Sequence, residues 1–360
     1  VVNGYSDHYV DLLDYINTND LGIQSNFDYV ETQMDVDQYL DYYISNTFFD
    51  NQDWPNNNIR FWRENNATSR WRWMLFDTDF GFGLMDYYDG QSLYDLSSTH
   101  WSYEVIRGLM QNQNFENEFI QRFAAHLNTT FEPYRVIGVL DSIAAIIDSK
   151  MPRHIDKWGR PSTYDPAWLG YVDDIRDYAH ARVPDMKDQI MDYFGITDTF
   201  NLTTSVSVPN SGIINLCEVD ITNAPAGTYF DNIPIRLEAV PKEGYIFVEW
   251  TGDINSTLNP ISLTFSSDVT IQANFEEAAI PDINNIYINE FAAHNTGITD
   301  EHGEQEDWIE IYNANDFAVD IGGLYISDSI NFPSKCRISR DFPDSTTIPP
   351  YGYLVLWADD

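Results

Sequence analysis

Two short segments of the sequence contain oxygen-bearing side chains at spacings that could serve catalysis. In the polar segment 51–58, Asp53 is followed five positions later by Asn58. The segment 76–83, Phe-Asp-Thr-Asp-Phe-Gly-Phe-Gly, contains Asp77 and Asp79. Phosphoryl transfer needs an aspartate that orients the attacking hydroxyl and accepts its proton. It also needs amide and carboxylate oxygens for Mg²⁺, a hard cation that prefers oxygen ligands.

The elements around these segments place them in a definite order along the chain. A helix is predicted over 35–48, and the polar loop 51–58 follows it. Strand-like runs at 59–63 and 71–77 then predict a hairpin, directly before Asp79-Phe80-Gly81. The large lobe of a protein-kinase-like fold has the same order of parts, namely a helix, an Asp-x4-Asn loop, two strands and Asp-Phe-Gly. An Asx-rich turn followed by a glycine-flanked turn explains the same residues without catalysis.

The first 197 residues are predicted to be mainly helical around this hairpin. The apolar spacing predicts helices over 104–127, 135–151 and 168–194, and Gly195 is suited to end the last one. The aromatic side chains in and beside the hairpin are predicted to form its core. They are Trp62, Trp71, Trp73, Phe76, Phe80 and Phe82.

Composition limits the class of protein. A length of 360 residues predicts two or three domains. With 19 Lys and Arg against 57 Asp and Glu, the net charge is −38, which argues against electrostatic binding of nucleic acid or an anionic membrane surface. No run of about 18 apolar residues is present, so no membrane-spanning helix is predicted. The 2 cysteines are too few for a disulfide-dense scaffold.

The amino-acid composition of the chain changes near residue 198. Thr, Val, Asn and Gly become frequent together with turn signals, which is typical of small β modules. A short acidic linker at 276–281 divides this region, so the predicted domains are 1–197, 198–277 and 278–360. The acidic side chains of the last domain could bind Ca²⁺ or could cap and solvate a loop. They are Asp300, Glu304, Glu306 and Asp307.

The stretch 51–83, NQDWPNNNIRFWRE…WRWMLFDTDFGFG, resembles the CotH kinase family, which are spore-coat-type secreted bacterial kinases with an atypical kinase fold. The likeness covers roughly 5–197. It implies that Asp53 is the catalytic aspartate, and that Asn58, or less favourably Asn57, is a metal ligand. It also implies that Asp77 and Asp79 are the metal-binding carboxylates, and that Asn58 and Asp79 contact the nucleotide. The implied cofactors are ATP with Mg²⁺ or Mn²⁺.

The sequence departs from the usual kinase pattern in three ways. No His-Arg pair precedes Asp53, no glycine-rich loop lies upstream, and no lysine occurs before Lys150. We therefore expect the ATP-binding lobe to precede residue 1. Both ends of the chain look cut, which predicts a fragment of a longer protein.

The two β modules resemble families found on bacterial surfaces. The region 198–277 is similar to internalin-type B repeats, small β-grasp-like modules that serve as spacers or adhesive units. The region 286–360, with INEF at 288–291 and EDWIEIYN at 306–313, resembles the lamin-tail domain, an immunoglobulin-like β-sandwich. The expected fold class is thus multidomain α+β, with a mainly helical kinase-like lobe, then a β-grasp-like module and a truncated sandwich.

These resemblances imply a secreted or cell-surface bacterial protein. The expected activity is transfer of the ATP γ-phosphoryl group to Ser or Thr hydroxyls of extracellular or coat proteins. The alternative is a catalytically inactive adhesion or scaffold protein. In either case the expected partner is another protein, either a substrate or a surface partner.

Overall fold

The computed structural model describes residues 6–66, 68–84, 93, 96, 98–278, 283–300, 302–340 and 342–358. The chain divides into two compact units. The first comprises Val1–Lys242 and Phe247–Glu276, and the second comprises Glu243–Ile246 and Glu277–Asp360.

The first part of the first unit consists mainly of helices. They are α1 Asp7–Thr18, α2 Gln24–Gln33, α3 Val36–Phe49, α4 Glu104–Leu109, α5 Gln113–Asn128, α6 Pro133–Asp148, α7 Met151–Trp158 and α8 Leu169–Phe194. The side chain of Asp35 accepts a hydrogen bond from the Gln38 amide and so caps the start of α3. Gly195 ends α8 with a φ of 66°, in the left-handed region. The helices predicted over 35–48 and 168–194 are therefore confirmed.

The predicted helix over 104–127 is wrong as a single element, because the chain forms α4 and α5 with a break between them. Asn112 causes the break. Its Oδ1 accepts from the amides of Asn114 (2.9 Å) and Phe115 (3.2 Å), and its Nδ2 donates to the Leu21 carbonyl (3.2 Å). Similarly, the helix predicted over 135–151 ends at Asp148, and α7 begins at Met151.

The hairpin consists of β1 Arg60–Trp62 and β2 Arg72–Met74, paired antiparallel with Phe61 opposite Trp73. Trp71 and Trp73 are buried, as predicted. Trp62, Phe76 and Phe80 are 44%, 41% and 40% exposed, so their prediction as core residues is wrong. Each strand has three residues, and only one of the two faces of the hairpin is packed against the rest of the unit. On the open side, the Arg60 guanidinium stacks over the Phe76 ring at 4.5 Å.

The rest of the first unit is a β module with alternating buried positions. Its strands are β3 Thr199–Val206, β4 Gly212–Leu216, β5 Val219–Asp220, β6 Ala226–Phe230, β7 Ile235–Pro241, β8 Tyr245–Gly252, β9 Ile261–Leu263 and β10 Val269–Glu277. They form two four-stranded sheets, in the orders β6-β3-β10-β8 and β5-β4-β7-β9. β3 and β10 run parallel. Trp250, Leu237 and Ile271 are fully buried in the module.

This β module packs against α5. Gln121, fully buried on α5, donates through Nε2 to the carbonyls of Phe230 (2.7 Å) and Ile233 (2.8 Å). Its Oε1 accepts from the Phe230 amide (3.2 Å). At the end of α5, Asn128 exchanges two hydrogen bonds with the backbone of Thr228. The helices and the β module therefore share a built interface within the first unit.

The second unit is mainly β. Its elements are β11 Ile286–Ala292, β12 Asp307–Asn313, β13 Val319–Asp320, β14 Tyr325–Ile326, β15 Cys336–Arg337, α9 Pro343–Thr346, β16 Thr347–Ile348 and β17 Tyr353–Ala358. The strand β12 lies between β11 and β17, and both neighbours are antiparallel to it. Ile311, Val319, Ile321 and Ile348 form the core.

The chain is thus a helical part followed by β-sheet parts, which confirms the predicted multidomain α+β class. The β-grasp-like and immunoglobulin-like assignments stay predictions. Among the described residues, no helix combines the length and apolar character that a membrane span requires.

Candidate functional site

The loop that contains Asp53 begins where α3 ends. Asp50 caps α3 in the left-handed conformation, with a φ of 51°. Asn51 is buried; its Oδ1 accepts from the Asp53 amide (3.3 Å) and its Nδ2 donates to Asn46 Oδ1 (3.1 Å). Trp54 is buried too, and its Nε1 donates to the Tyr42 hydroxyl (2.6 Å). Asp53 therefore lies between two residues that are fixed in the core.

The segment that contains Asp77 and Asp79 lies directly against this loop. The Gln52 amide donates to the Phe80 carbonyl (3.1 Å), and the Phe82 amide donates to the Phe49 carbonyl (2.8 Å). The rings of Phe49 and Phe82 stack with their centroids 4.8 Å apart. These contacts pair the end of α3 with the Asp-Phe-Gly turn, although the two segments are about thirty positions apart in the sequence.

Asn58 joins the two segments. Its side chain is 7% exposed, and its Nδ2 lies 3.4 Å from Asp53 Oδ2 and 3.3 Å from the Asp77 carbonyl oxygen. Both partners are acceptors, so the amide nitrogen must face them. The Oδ1 atom accepts no hydrogen bond from the described residues. The structure thus brings Asp53, Asn58 and the backbone of Asp77 together.

The other predicted residues lie at the margin of this group. Asp79 is exposed, and no hydrogen bond within the described part of the chain joins it to Asp53 or Asn58. Asn57 is also exposed, and its amide donates to the Asp53 carbonyl (2.9 Å), as expected in a turn. The geometry therefore favours Asn58 over Asn57 as the residue that faces both segments.

Backbone strain is concentrated at this site. Asp50, Asn58, Asp77 and Phe82 have φ values of 51°, 54°, 54° and 55°. Asn and Asp tolerate the left-handed region, but a bulky residue such as Phe82 is an outlier there. Such conformations cost about 1–3 kcal/mol each and persist where packing enforces them, often at functional sites. The contacts of Phe82 with Phe49 supply that enforcement.

The donor chemistry of the site fits a hard divalent cation, because every candidate ligand atom is a carboxylate or amide oxygen. The carboxylates of Asp77 and Asp79 are exposed and make no hydrogen bond or ion pair with the described residues. Within the described ranges, no three His, Cys, Asp or Glu side chains are arranged so that they could hold a metal ion. A cation at this site would therefore be held by Asn58 Oδ1 together with carboxylates that move toward it.

Two residues of α8 that sequence reasoning did not single out support the site from below. Arg182 is completely buried and donates to carbonyls at the end of α3, as does the Tyr178 hydroxyl. Burial raises the pKa of Tyr178 above its ordinary value, so the hydroxyl keeps the proton that it donates. The available signal was an arginine four positions after Tyr178, on the buried stripe of an amphipathic helix.

The acidic loop of the second unit is organised by its own backbone. The Asp300 carboxylate accepts from the amides of Glu304 (2.8 Å) and His302 (2.9 Å). These bonds, that from Glu304 foremost, lower the pKa of Asp300 below its ordinary value. They match the loop-capping alternative for this residue, and Ca²⁺ binding stays a prediction.

Comparison with known families gives three matches along the chain. The model of the CotH kinase protein family matches residues 1–184. The divergent InlB B-repeat domain matches residues 220–279, and the lamin tail domain matches residues 280–360. The order of the three predicted resemblances is thereby confirmed. No curated protein and no solved structure matches the chain significantly.

Proposed function

The chain belongs to the CotH kinase protein family, and from that premise we propose that it transfers the γ-phosphoryl group of ATP to a Ser or Thr hydroxyl of another protein. The observation that supports this most is the position of Asn58. Its side chain lies within hydrogen-bonding distance of the Asp53 carboxylate and of the Asp77 carbonyl. The two segments to which the proposal assigns phosphoryl transfer thus meet at one residue.

In this proposal Asp53 orients the acceptor hydroxyl and takes its proton. A bond forms between the hydroxyl oxygen and the γ-phosphorus, the bond from the γ-phosphorus to the bridging oxygen breaks, and ADP leaves. Asn58, Asp77 and Asp79 would hold Mg²⁺ or Mn²⁺, and Asn58 and Asp79 would also contact the nucleotide. When bound, the cation would offset the negative charge of the phosphates.

The acceptor is proposed to be an extracellular or coat protein of a bacterium, with this chain secreted or at the cell surface. The matches to the bacterial repeat and to the lamin tail domain support this placement. The β module that packs on α5 would present or space the kinase-like part.

A second candidate function is a non-catalytic adhesion or scaffold protein. The observation that favours it concerns the possible metal ligands, since the described residues contain no group of three His, Cys, Asp or Glu side chains already placed to hold a metal ion. The two candidates differ in whether phosphate transfer depends on Asp53 and Asp79.

Phosphate transfer distinguishes them. The full-length gene product is incubated with ATP and Mg²⁺ or Mn²⁺, and phosphate on Ser and Thr is measured by mass spectrometry. We expect Asp53→Asn and Asp79→Ala to lower the rate about 100-fold or more. Asp14→Asn changes an exposed aspartate on α1 and should match the parent. A parent without transfer, or an Asp79→Ala variant as active as the parent, would reject the kinase proposal.

A further inference from the structure

The last backbone carbonyls of α3 accept hydrogen bonds from groups that lie outside this helix. The Thr47 carbonyl accepts from Arg182 Nη2 (2.8 Å), and the Phe48 carbonyl accepts from Arg182 Nε (3.1 Å). The Phe49 carbonyl accepts from the Phe82 amide (2.8 Å). Three consecutive carbonyls are thus bound by groups from outside α3, just ahead of the loop that contains Asp53.

Arg182 is unusual because its side chain is 0% exposed. Its Nη1 donates to Asp185 Oδ2 (2.7 Å), one turn further along α8, which pairs the charge within the same helix. Its Nε and Nη2 donate to the two carbonyls of α3. A cation is favourable at a helix C-terminus, where the carbonyl dipoles are negative. The fixed fork of the guanidinium lets one side chain bind two adjacent carbonyls at once.

Tyr178, one turn before Arg182, contacts both segments of the site. Its hydroxyl donates to the Phe48 carbonyl (2.5 Å). Its ring lies 5.6 Å from that of Phe82, and a Cβ on Gly83 would be 3.0 Å from the Tyr178 ring. This face of α8 therefore packs against both the end of α3, which leads into the loop of Asp53, and the Asp-Phe-Gly turn.

We propose that Arg182 is a positioning residue, which holds the end of α3 so that Asp53 and the Asp77–Asp79 segment keep their register. The inference rests on the proposed kinase function for its kinetic consequence, but not for its structural one. Displacement of a catalytic group by about 1 Å can lower a rate by about 100-fold. Arg182 acts through the backbone of Thr47 and Phe48 and does not itself touch the reacting atoms.

The test compares Arg182→Lys with Arg176→Lys on the same helix. Lysine keeps the charge but cannot reproduce the two-carbonyl fork. Arg176 is matched because it binds Asp141 and Asp173 near the surface, away from the site. In the full-length protein we expect kcat to fall about 100-fold for Arg182→Lys. The fall in kcat should exceed any change in the KM for ATP, since Arg182→Lys removes no nucleotide contact directly. Arg176→Lys should match the parent.

Hydrogen exchange provides a readout that does not need activity. The amides of Gln52 and Phe82 join the two segments, so Arg182→Lys should reduce their protection at least tenfold, while amides of β3 keep theirs. If Arg182→Lys does not fold, Tyr178→Phe is used, which removes one donor to Phe48 and keeps the ring. It should reduce the same protection by a smaller factor.

The outcomes separate the two proposals. A parent without phosphate transfer rejects the kinase function, and exchange at Gln52 and Phe82 still decides the role of Arg182. Parent-like protection of both amides in the folded variant overturns the positioning role. So does an equal loss of protection across the whole unit, which would indicate general destabilisation.

Discussion

The interface between α5 and the β module should depend strongly on Gln121. Its side chain is fully buried and makes three hydrogen bonds to backbone atoms of Phe230 and Ile233. The substitution Gln121→Ala removes all three bonds and leaves a cavity where the amide was. We therefore expect a loss of stability well beyond that of an ordinary surface change.

The magnitude follows from the groups that are left without partners. Two carbonyl oxygens and one amide lose their hydrogen bonds, and Phe230 is itself buried. A buried polar group without a partner costs about 1–3 kcal/mol. Carbonyls have a second lone pair and can relax toward water, so we expect a total near the lower end, about 3–5 kcal/mol.

The control is Gln113→Ala at the start of the same helix. Gln113 is exposed, and its side-chain amide donates to Glu116 and Asn117 of the same helix. Its substitution should change the free energy of unfolding by less than about 0.5 kcal/mol. Urea denaturation, followed by tryptophan fluorescence, gives both values. Hydrogen exchange should show that β6 loses protection first. If Gln121→Ala differs from Gln113→Ala by less than about 1 kcal/mol, the reasoning is refuted.

Two further predictions concern the site and its surroundings. Gly83→Ala places a Cβ 3.0 Å from the Tyr178 ring at a residue whose φ is 75°, so it should lower stability by about 1–3 kcal/mol and reduce phosphate transfer. The control is Gly170→Ala, where the Cβ would have nothing within 4 Å, and it should leave stability and transfer nearly unchanged. Equal melting temperatures for the two variants would contradict this prediction. Burial opposes ionisation of Asp41, but hydrogen bonds from His126 and Arg122 outweigh it and lower the pKa of this carboxyl. The stability advantage of the parent over Asp41→Asn should therefore be complete above the ordinary pKa of 3.8 and decline as the pH falls below it. A difference that is constant in urea denaturation down to pH 2.5 would contradict the pairing.

The helices were predictable where local signals specify their ends. Asp35 begins α3 and Gly195 ends α8 through the conformations and hydrogen bonds of a few neighbouring residues. The break at Asn112 was not predicted, because the apolar spacing continues across it. That break depends partly on the bond from Asn112 to Leu21, ninety-one positions away, which no local pattern reveals.

The candidate site was partly predictable for a related reason. The types and order of Asp53, Asn58 and the Asp77–Asp79 pair are visible in the sequence, and the structure places three of these residues together. Their support was not visible. Arg182 binds backbone carbonyls. Every residue type has such a carbonyl, so the sequence does not reveal which residues Arg182 binds.

The same limit applies to the β module and to the hairpin aromatics. Gln121 recognises carbonyls of β6, so its role could not be read from its neighbours on α5. The alternation of aromatic residues correctly indicated strands. It could not show that Trp62 and Phe80 would remain exposed.

The meeting of the two segments at one cation site is tested most directly with Mn²⁺. The ¹⁵N-labelled chain is titrated with Mn²⁺ and ATP, and paramagnetic broadening of amide signals is followed by NMR. We predict that the amides of Asp53, Asn58, Asp77 and Asp79 broaden together at substoichiometric Mn²⁺, and that Asp79→Ala weakens the effect at all of them. Broadening confined to one segment, or found instead around Asp300 in the second unit, would contradict a shared site.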